Sequence, residues 1–235
     1  MRTAGGVPRR SGLNETPPCS GIAFVLSAPS GTGKTTLSRR LLARTRNLRF
    51  SVSYTTRQRR RGERDGVDYH FVSSARFKRL RERGEFLEWT VLDGACYGTS
   101  RRQIERVLLR GEDVLLDVDT KGAAQIRRRI AGSVSIFLLP PDLEALRRRH
   151  RRRGTDEAAM ARRIGLARRE MVECESYDYL VLNERLDEAT RDLEAVVRAE
   201  RCRTSRRKHR MDAIQQHFEL EPRPAVFAGR RRRRA

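Results

Sequence analysis

The run AFVLSAPSGTGKTTLSRRLL at residues 23–42 restricts the chain more than any other stretch. It reads as a buried apolar strand, a Gly-rich turn and an amphipathic helix opening on Lys34-Thr35, the layout of a phosphate-binding loop. The spacing follows G-x-x-x-x-G-K-[ST], except that Ala28 stands in the first position. Gly31 and Gly33 let backbone N–H groups turn toward an anion, the helix N-terminus behind them adds its dipole, and Lys34 supplies a mobile point charge. Residues Ala28, Pro29, Ser30, Gly31, Thr32, Gly33, Lys34, Thr35 and Thr36 form the candidate phosphate-binding set, with Lys34 as the candidate catalytic cation.

Helix and strand signals alternate through the rest of the chain. Apolar runs at residues 22–26, 113–119, 135–140 and 178–183 read as short buried strands, and Arg-rich amphipathic segments lie between them. That alternation predicts an α/β fold, a parallel sheet flanked by helices. Two stretches interrupt it and are expected above the carboxyl edge of the sheet. Residues 50–105 carry aromatic and β-branched residues punctuated by Gly, and residues 141–176 are almost purely polar and helical. The expected organisation is a disordered tail at 1–20, one domain at 21–220 and a basic disordered tail at 221–235.

A chain of 235 residues is long enough to bury a core without staples. Cys19, Cys96, Cys174 and Cys202 are irregularly spaced with no C-x-x-C, so neither a disulfide framework nor a zinc site is indicated. No apolar run reaches the roughly 18 residues of a membrane span, and the first residues lack the apolar centre of a signal peptide. A reducing, cytoplasmic location and no membrane partner are expected. The formal charge is +22; residues 1–20 carry +2 and residues 221–235 carry +5, which leaves +15 on the body. Such a balance suits binding of polyanionic nucleotides, and nucleic-acid contact by the basic tails is an open possibility. Lysine is scarce: only Lys34, Lys78, Lys121 and Lys208 among 52 basic residues. One of those four stands where a compact, flexible charge suits a phosphate loop.

The first interruption reads SVSYTTRQRRRGERDGVDYHF at 51–71 and GEFLEWTVLDGACYGTS at 84–100. Together with SAPSGTGK, LLDVDTKGA, RRGTDE and YDYLVLNE, in that order over roughly residues 21–210, these motifs resemble the guanylate kinase family. The resemblance implies a P-loop kinase fold with an inserted monophosphate-binding region and a helical lid. It implies transfer of the γ-phosphoryl of ATP to GMP, and to dGMP as well, with Mg²⁺ as cofactor. Arg57, Arg60, Tyr69 and Tyr97 match the positions that clamp the 5′-phosphate of GMP, and guanidinium forks with phenol hydroxyls suit a dianion. Ser53, Glu88 and Thr99 match those facing the guanine base. Asp117 matches the carboxylate near metal and acceptor, expected to hold Mg²⁺ through water, while Thr35 is the direct ligand through its hydroxyl. In the lid, Arg149, Arg153 and Arg163 match the arginines that close over the phosphates, and Asn183 matches a residue near the adenine of ATP.

Departures and alternatives accompany that reading. His150 stands where the family has an apolar residue, and Cys96 precedes Tyr97 where a pair of aromatics is more usual. Arg147, Arg148, Arg151 and Arg152 are expected to face solvent. Asp119 has a plainer reading as a strand-end acid capping the following turn. A kinase for another phosphorylated acceptor, a non-catalytic binding module of the same fold and a nucleic-acid-binding protein are the competing functions. The first is opposed by the base-facing residues, the second by the intact Gly33-Lys34-Thr35, and the third by Ser53, Glu88 and Asp117.

Overall fold

The computed structural model describes residues 21–152 and 154–218. The expected tails at 1–20 and 221–235 and the candidate Arg153 lie outside the described residues.

The chain runs β1 (Ala23–Ser27), α1 (Lys34–Arg44), β2 (Leu48–Phe50), β3 (Tyr54–Thr55), β4 (His70–Phe71), α2 (Ser74–Glu82), β5 (Phe86–Leu92), β6 (Ala95–Ser100) and α3 (Arg101–Leu109). It continues through β7 (Asp113–Asp117), α4 (Thr120–Arg129), β8 (Val134–Leu139), α5 (Leu143–Arg151), α6 (Glu157–Val172), a 3₁₀ turn (Glu173–Ser176), β9 (Tyr179–Leu182), α7 (Leu186–Cys202) and α8 (Thr204–His217).

Five strands form a sheet in the order β2-β7-β1-β8-β9, every pair parallel. β1 lies at its centre, and its alternating side chains divide the core in two. Phe24 and Leu26 face Leu37 and Leu41 of α1 and Leu193 and Val197 of α7. Ala23 and Val25 face Ile104 of α3 and Ala123 and Ile126 of α4. Both faces of the inner strands are therefore sealed, which is why β1, β7 and β8 read as mostly apolar runs. The loop after β1 emerges at the carboxyl end of the central strand, where open α/β sheets bind ligands.

Of the five strands, four correspond to the apolar runs in the sequence; β2 does not. It is only Leu48–Phe50, on the sheet edge, with an outward Arg49 whose guanidinium donates to Glu112. β7 ends at Asp117, two residues before the expected end. The reason is local: the Asp119 carboxylate accepts from the Gly122 N–H at 2.7 Å and starts α4, so this residue is the turn-capping acid of the plainer reading.

Residues 50–105 contain a second sheet, β4-β3-β6-β5, in which β5 and β6 form a hairpin. Its turn, Asp93-Gly94, takes φ of 49° and 76°, the left-handed geometry of a tight hairpin. Residues 141–176 hold α5, α6 and the 3₁₀ turn. Asp142 and Asp156 cap the two helices by accepting from Ala145 and Ala159 N–H groups. Leu146, Ile164 and Ala167 pack them together, a small apolar seam inside a charged pair of helices.

Candidate active site

Gly31 and Gly33 adopt φ of 90° and 105°, conformations that side-chain-bearing residues rarely take. α1 begins at Lys34 with no side-chain cap and no acidic residue in its first turn, leaving its N–H donors for an anion. The loop is braced from behind. Thr32 donates through both N–H and Oγ1 to Pro29 O, at 3.1 and 2.7 Å. The Asn183 amide donates to Thr32 O at 2.6 Å, and Arg149 donates to the same carbonyl and to Gly31 O and Asn183 O. His150 is buried with Nε2 3.1 Å from Ser30 O, and a Cβ on Gly31 would lie 2.9 Å from that nitrogen. A polar ring thus replaces the expected apolar residue because it meets a loop carbonyl. Asn183 and Arg149 are close against the back of the loop, and a Cβ at Gly33 would lie 2.8 Å from the Asn183 amide nitrogen.

Lys34 Nζ lies 2.7 Å from Asp117 Oδ1 and 2.8 Å from Val118 O. The cation of α1 is thereby parked at the carboxyl end of β7, across the space into which the loop N–H groups point.

The cleft in front of the loop is walled by residues from all three parts of the chain. Residues 28–36 and Asp117 come from the main sheet; Ser53, Arg57, Arg60, Tyr69, Glu88 and Tyr97 come from the 50–105 insertion; and Arg163 and Glu170 come from α6. Arg149 and Asn183 lie behind the loop instead, and Thr99 is fully buried beneath Glu88.

Two subsites differ in character. On one side Arg57 forms a bidentate pair with Glu63 at 2.8 and 2.9 Å and stacks over Tyr69, with its Cζ 5.2 Å from the ring centroid. The Glu63 hydrogen bonds raise the pKa of Arg57, and the same bonds hold Glu63 below the usual carboxylate range. Burial, with help from the Asp117 charge, pushes the Tyr69 phenol up to about 12, so it stays a donor. Tyr69 and Tyr97 meet edge to face at 5.9 Å, and Arg60 is exposed at the rim. This is a cationic, donor-rich cradle.

On the other side Glu88 is 3% exposed. Thr99 Oγ1 donates to Glu88 Oε1 at 2.6 Å, and Ser53 Oγ lies 3.4 Å from that hydroxyl. Burial pushes the Glu88 carboxyl up to about 7, opposed by the Thr99 hydrogen bond and reinforced by the Asp119 charge. This is a buried, acceptor-rich pocket with two hydroxyls.

Several residues at the site carry no motif of their own. Glu170 on α6 is buried in the cleft wall, and burial pushes its carboxyl up to about 7 against the pull of Lys34. It continues the buried stripe of Ile164 and Ala167 at three-residue spacing, so a carboxylate on an apolar helix face was the available signal. Arg163, one of the arginines expected in the lid, reaches toward Asp93 at the hairpin turn, 3.8 Å away, so α6 and the second sheet meet through a charge pair. Glu63 has no signal in the sequence beyond a basic loop needing an acid.

A protein-family model described as guanylate kinase matches residues 21–200. The chain is 48% identical over 188 residues to the guanylate kinase of Syntrophotalea carbinolica, covering 80% of this chain and 90% of that one. It is 44% identical over 201 residues to that of Geobacter metallireducens, covering 85% and 98%. In three dimensions it resembles the crystal structure of guanylate kinase from Anaplasma phagocytophilum, with a TM-score of 0.73 and 34% identity over 86% of this chain and 98% of that one. An anion-ready loop facing a cationic cradle and a buried carboxylate pocket, in a chain so matched over most of its length, places it in the guanylate kinase family.

Proposed function

We propose that this cleft transfers the γ-phosphoryl of ATP to the 5′-phosphate of GMP, giving ADP and GDP. The observation that carries the reading is the pocket of Glu88, Thr99 and Ser53. Guanine offers N1–H and N2–H₂ as adjacent donors beside the O6 acceptor. An ionised carboxylate only accepts, so Glu88 can pair with both donors, while a hydroxyl donates to O6. A sugar phosphate offers rotatable hydroxyls rather than two adjacent N–H donors fixed beside an acceptor.

The acceptor phosphate would lie in the cradle of Arg57, Arg60, Tyr69 and Tyr97. The donor phosphates would lie against the N–H groups of residues 28–36, drawing Lys34 from Asp117 toward the transferring group. Arg163 and, from behind the loop, Arg149 add positive charge, and Arg153 belongs to the same lid set. Asn183 is assigned to the adenine side of the donor. Catalysis is positioning plus neutralisation of charge spreading over the equatorial oxygens. A dianionic phosphate oxygen is already nucleophilic, so no side chain is assigned as general base.

The donor set fits Mg²⁺: the exposed Thr35 hydroxyl and the Asp117 carboxylate are hard oxygen ligands beside the phosphate loop. Among the described residues no cluster of three His, Cys, Asp or Glu could hold an ion alone. Thr35 directly and Asp117 through water would therefore share it with nucleotide oxygens; when bound, the ion neutralises phosphate charge. Among the described residues no helix is long and apolar enough to cross a membrane.

The reading is tested by pH. Glu88 must be ionised to accept from guanine, and its carboxyl sits at about 7 in the free protein. The KM for GMP should therefore rise about tenfold between pH 8 and pH 6, beyond any change in the KM for ATP. The GMP phosphate itself titrates near pH 6, so Glu88→Gln is the control: it keeps the phosphate component and should lose the remainder. Superimposable profiles for the two proteins would contradict the assignment.

A further inference from the structure

Gly122, Gln125 and Arg129 stand three and seven positions apart on α4 and so share one face. That face lies along β5, the outer strand of the second sheet. An outer strand leaves a row of backbone groups without a ladder partner. Here α4 supplies partners on both sides of residue 88. Arg129 donates to the Leu87 carbonyl. Gln125 answers Trp89 twice: its Nε2 donates to Trp89 O at 2.9 Å, and its Oε1 accepts from Trp89 N–H at 3.4 Å. Gly122 faces the Glu88 side chain, and a Cβ built there would lie 2.7 Å from Glu88 Oε2 and 3.2 Å from Asp119 Oδ1. The Gly122 N–H meanwhile fixes Asp119, and Thr99 fixes the other Glu88 oxygen.

We propose that this face of α4 is the positioning element for base specificity: Gln125 and Arg129 set the register of β5, and the missing side chain at Gly122 admits the Glu88 carboxylate in the one orientation that reads guanine. The inference rests on Glu88 reading the base. It adds that the reading depends on a helix of the main sheet whose residues, 120–129, do not line the cleft. A methyl group at Gly122 would not unfold the helix, since alanine favours helix over glycine. The flexible end of Glu88 would yield instead, and with it the angle of the oxygen that meets N2–H₂.

The experiment compares Gly122→Ala, Gln125→Ala and Glu88→Gln with the parent protein for kcat/KM on GMP and AMP, KM for ATP, and Tm. Gly122→Ala should raise the KM for GMP about tenfold or more and narrow the GMP-to-AMP ratio, with the KM for ATP within about twofold and the Tm not lowered. Gln125→Ala should act in the same direction, by about threefold. If both variants keep the parent KM and ratio while Glu88→Gln narrows the ratio, the α4 assignment is overturned and the base reading stands. If Glu88→Gln also leaves the ratio unchanged, both are overturned. A lowered Tm with parallel loss of affinity for ATP and GMP in both α4 variants marks a general packing defect and equally overturns the proposal.

Discussion

Replacing Lys34 with alanine is expected to slow phosphoryl transfer by roughly 10³-fold or more while leaving GMP affinity within a few-fold of the parent value. Lys34 opens α1 behind the glycine turn, and its ammonium lies on Asp117 and Val118 O in the cleft in front of the loop. A cation so placed acts on charge that develops during transfer, so its loss appears in kcat. The residues assigned to the acceptor belong to the 50–105 insertion instead: Ser53, Thr99 and Glu88 bond to one another, and Arg57 pairs with Glu63. Steady-state turnover and a calorimetric GMP titration on the same preparation decide the matter. Near-parent turnover would remove the phosphate-loop assignment, and loss of GMP binding would mean the two subsites are not separable.

Glu88→Gln is expected to lower kcat/KM for GMP by roughly 10²-fold and to narrow the GMP-to-AMP ratio, with Ser53→Ala acting in the same direction more weakly. Adenine presents a lone pair at N1 where guanine presents N–H, so it leaves the Glu88 charge buried and unmatched. Arg60→Ala should instead weaken all monophosphates alike, because it reaches only the phosphate. Glu88→Gln also carries a stability signature of opposite sign. Burial raises the Glu88 carboxyl from an ordinary 4.5 to about 7. Between those values the folded protein holds a proton that the unfolded chain has released. This group's contribution is therefore most favourable below the window and is lost as pH rises through 7. Glutamine removes the titration. The free variant should be more stable than the parent at pH 8, by up to about 3 kcal/mol, and the difference should close toward pH 5. A site that gains stability when its function is removed holds its charge for the ligand.

The sheet was legible because β1, β7 and β8 are buried on both faces and so mostly apolar, and because the edge strand β9 keeps an apolar run although Leu180 and Leu182 are exposed. β2 was not, because a three-residue edge strand carrying Arg49 has no such run. The loop was legible because glycines at positive φ and a following lysine are what a phosphate demands; the arginines and tyrosines of the cradle were named through the family resemblance, since a basic loop taken alone reads as a solvated one. What escaped is what the fold brings from elsewhere. Glu63 matters only because the loop turns it onto Arg57, and Glu170 only because α6 lies over the cleft. Gly122 carries no signal of its own and gains meaning only because β5 brings Glu88 against it. Asp117 and Asp119 stand two residues apart on one run of sequence, yet one meets Lys34 and the other caps α4. Only the end of β7 separates those roles.

The most direct measurement is ATP-dependent phosphorylation by the full chain at pH 8 across GMP, dGMP, AMP, CMP, UMP and a sugar phosphate. Formation of ADP and of the phosphorylated acceptor would be followed together. The account predicts stoichiometric ADP and GDP from GMP, activity with dGMP, and kcat/KM for AMP, CMP and UMP lower by roughly 10²-fold or more. Equal rates across the nucleotides, or a sugar phosphate preferred over GMP, would contradict it.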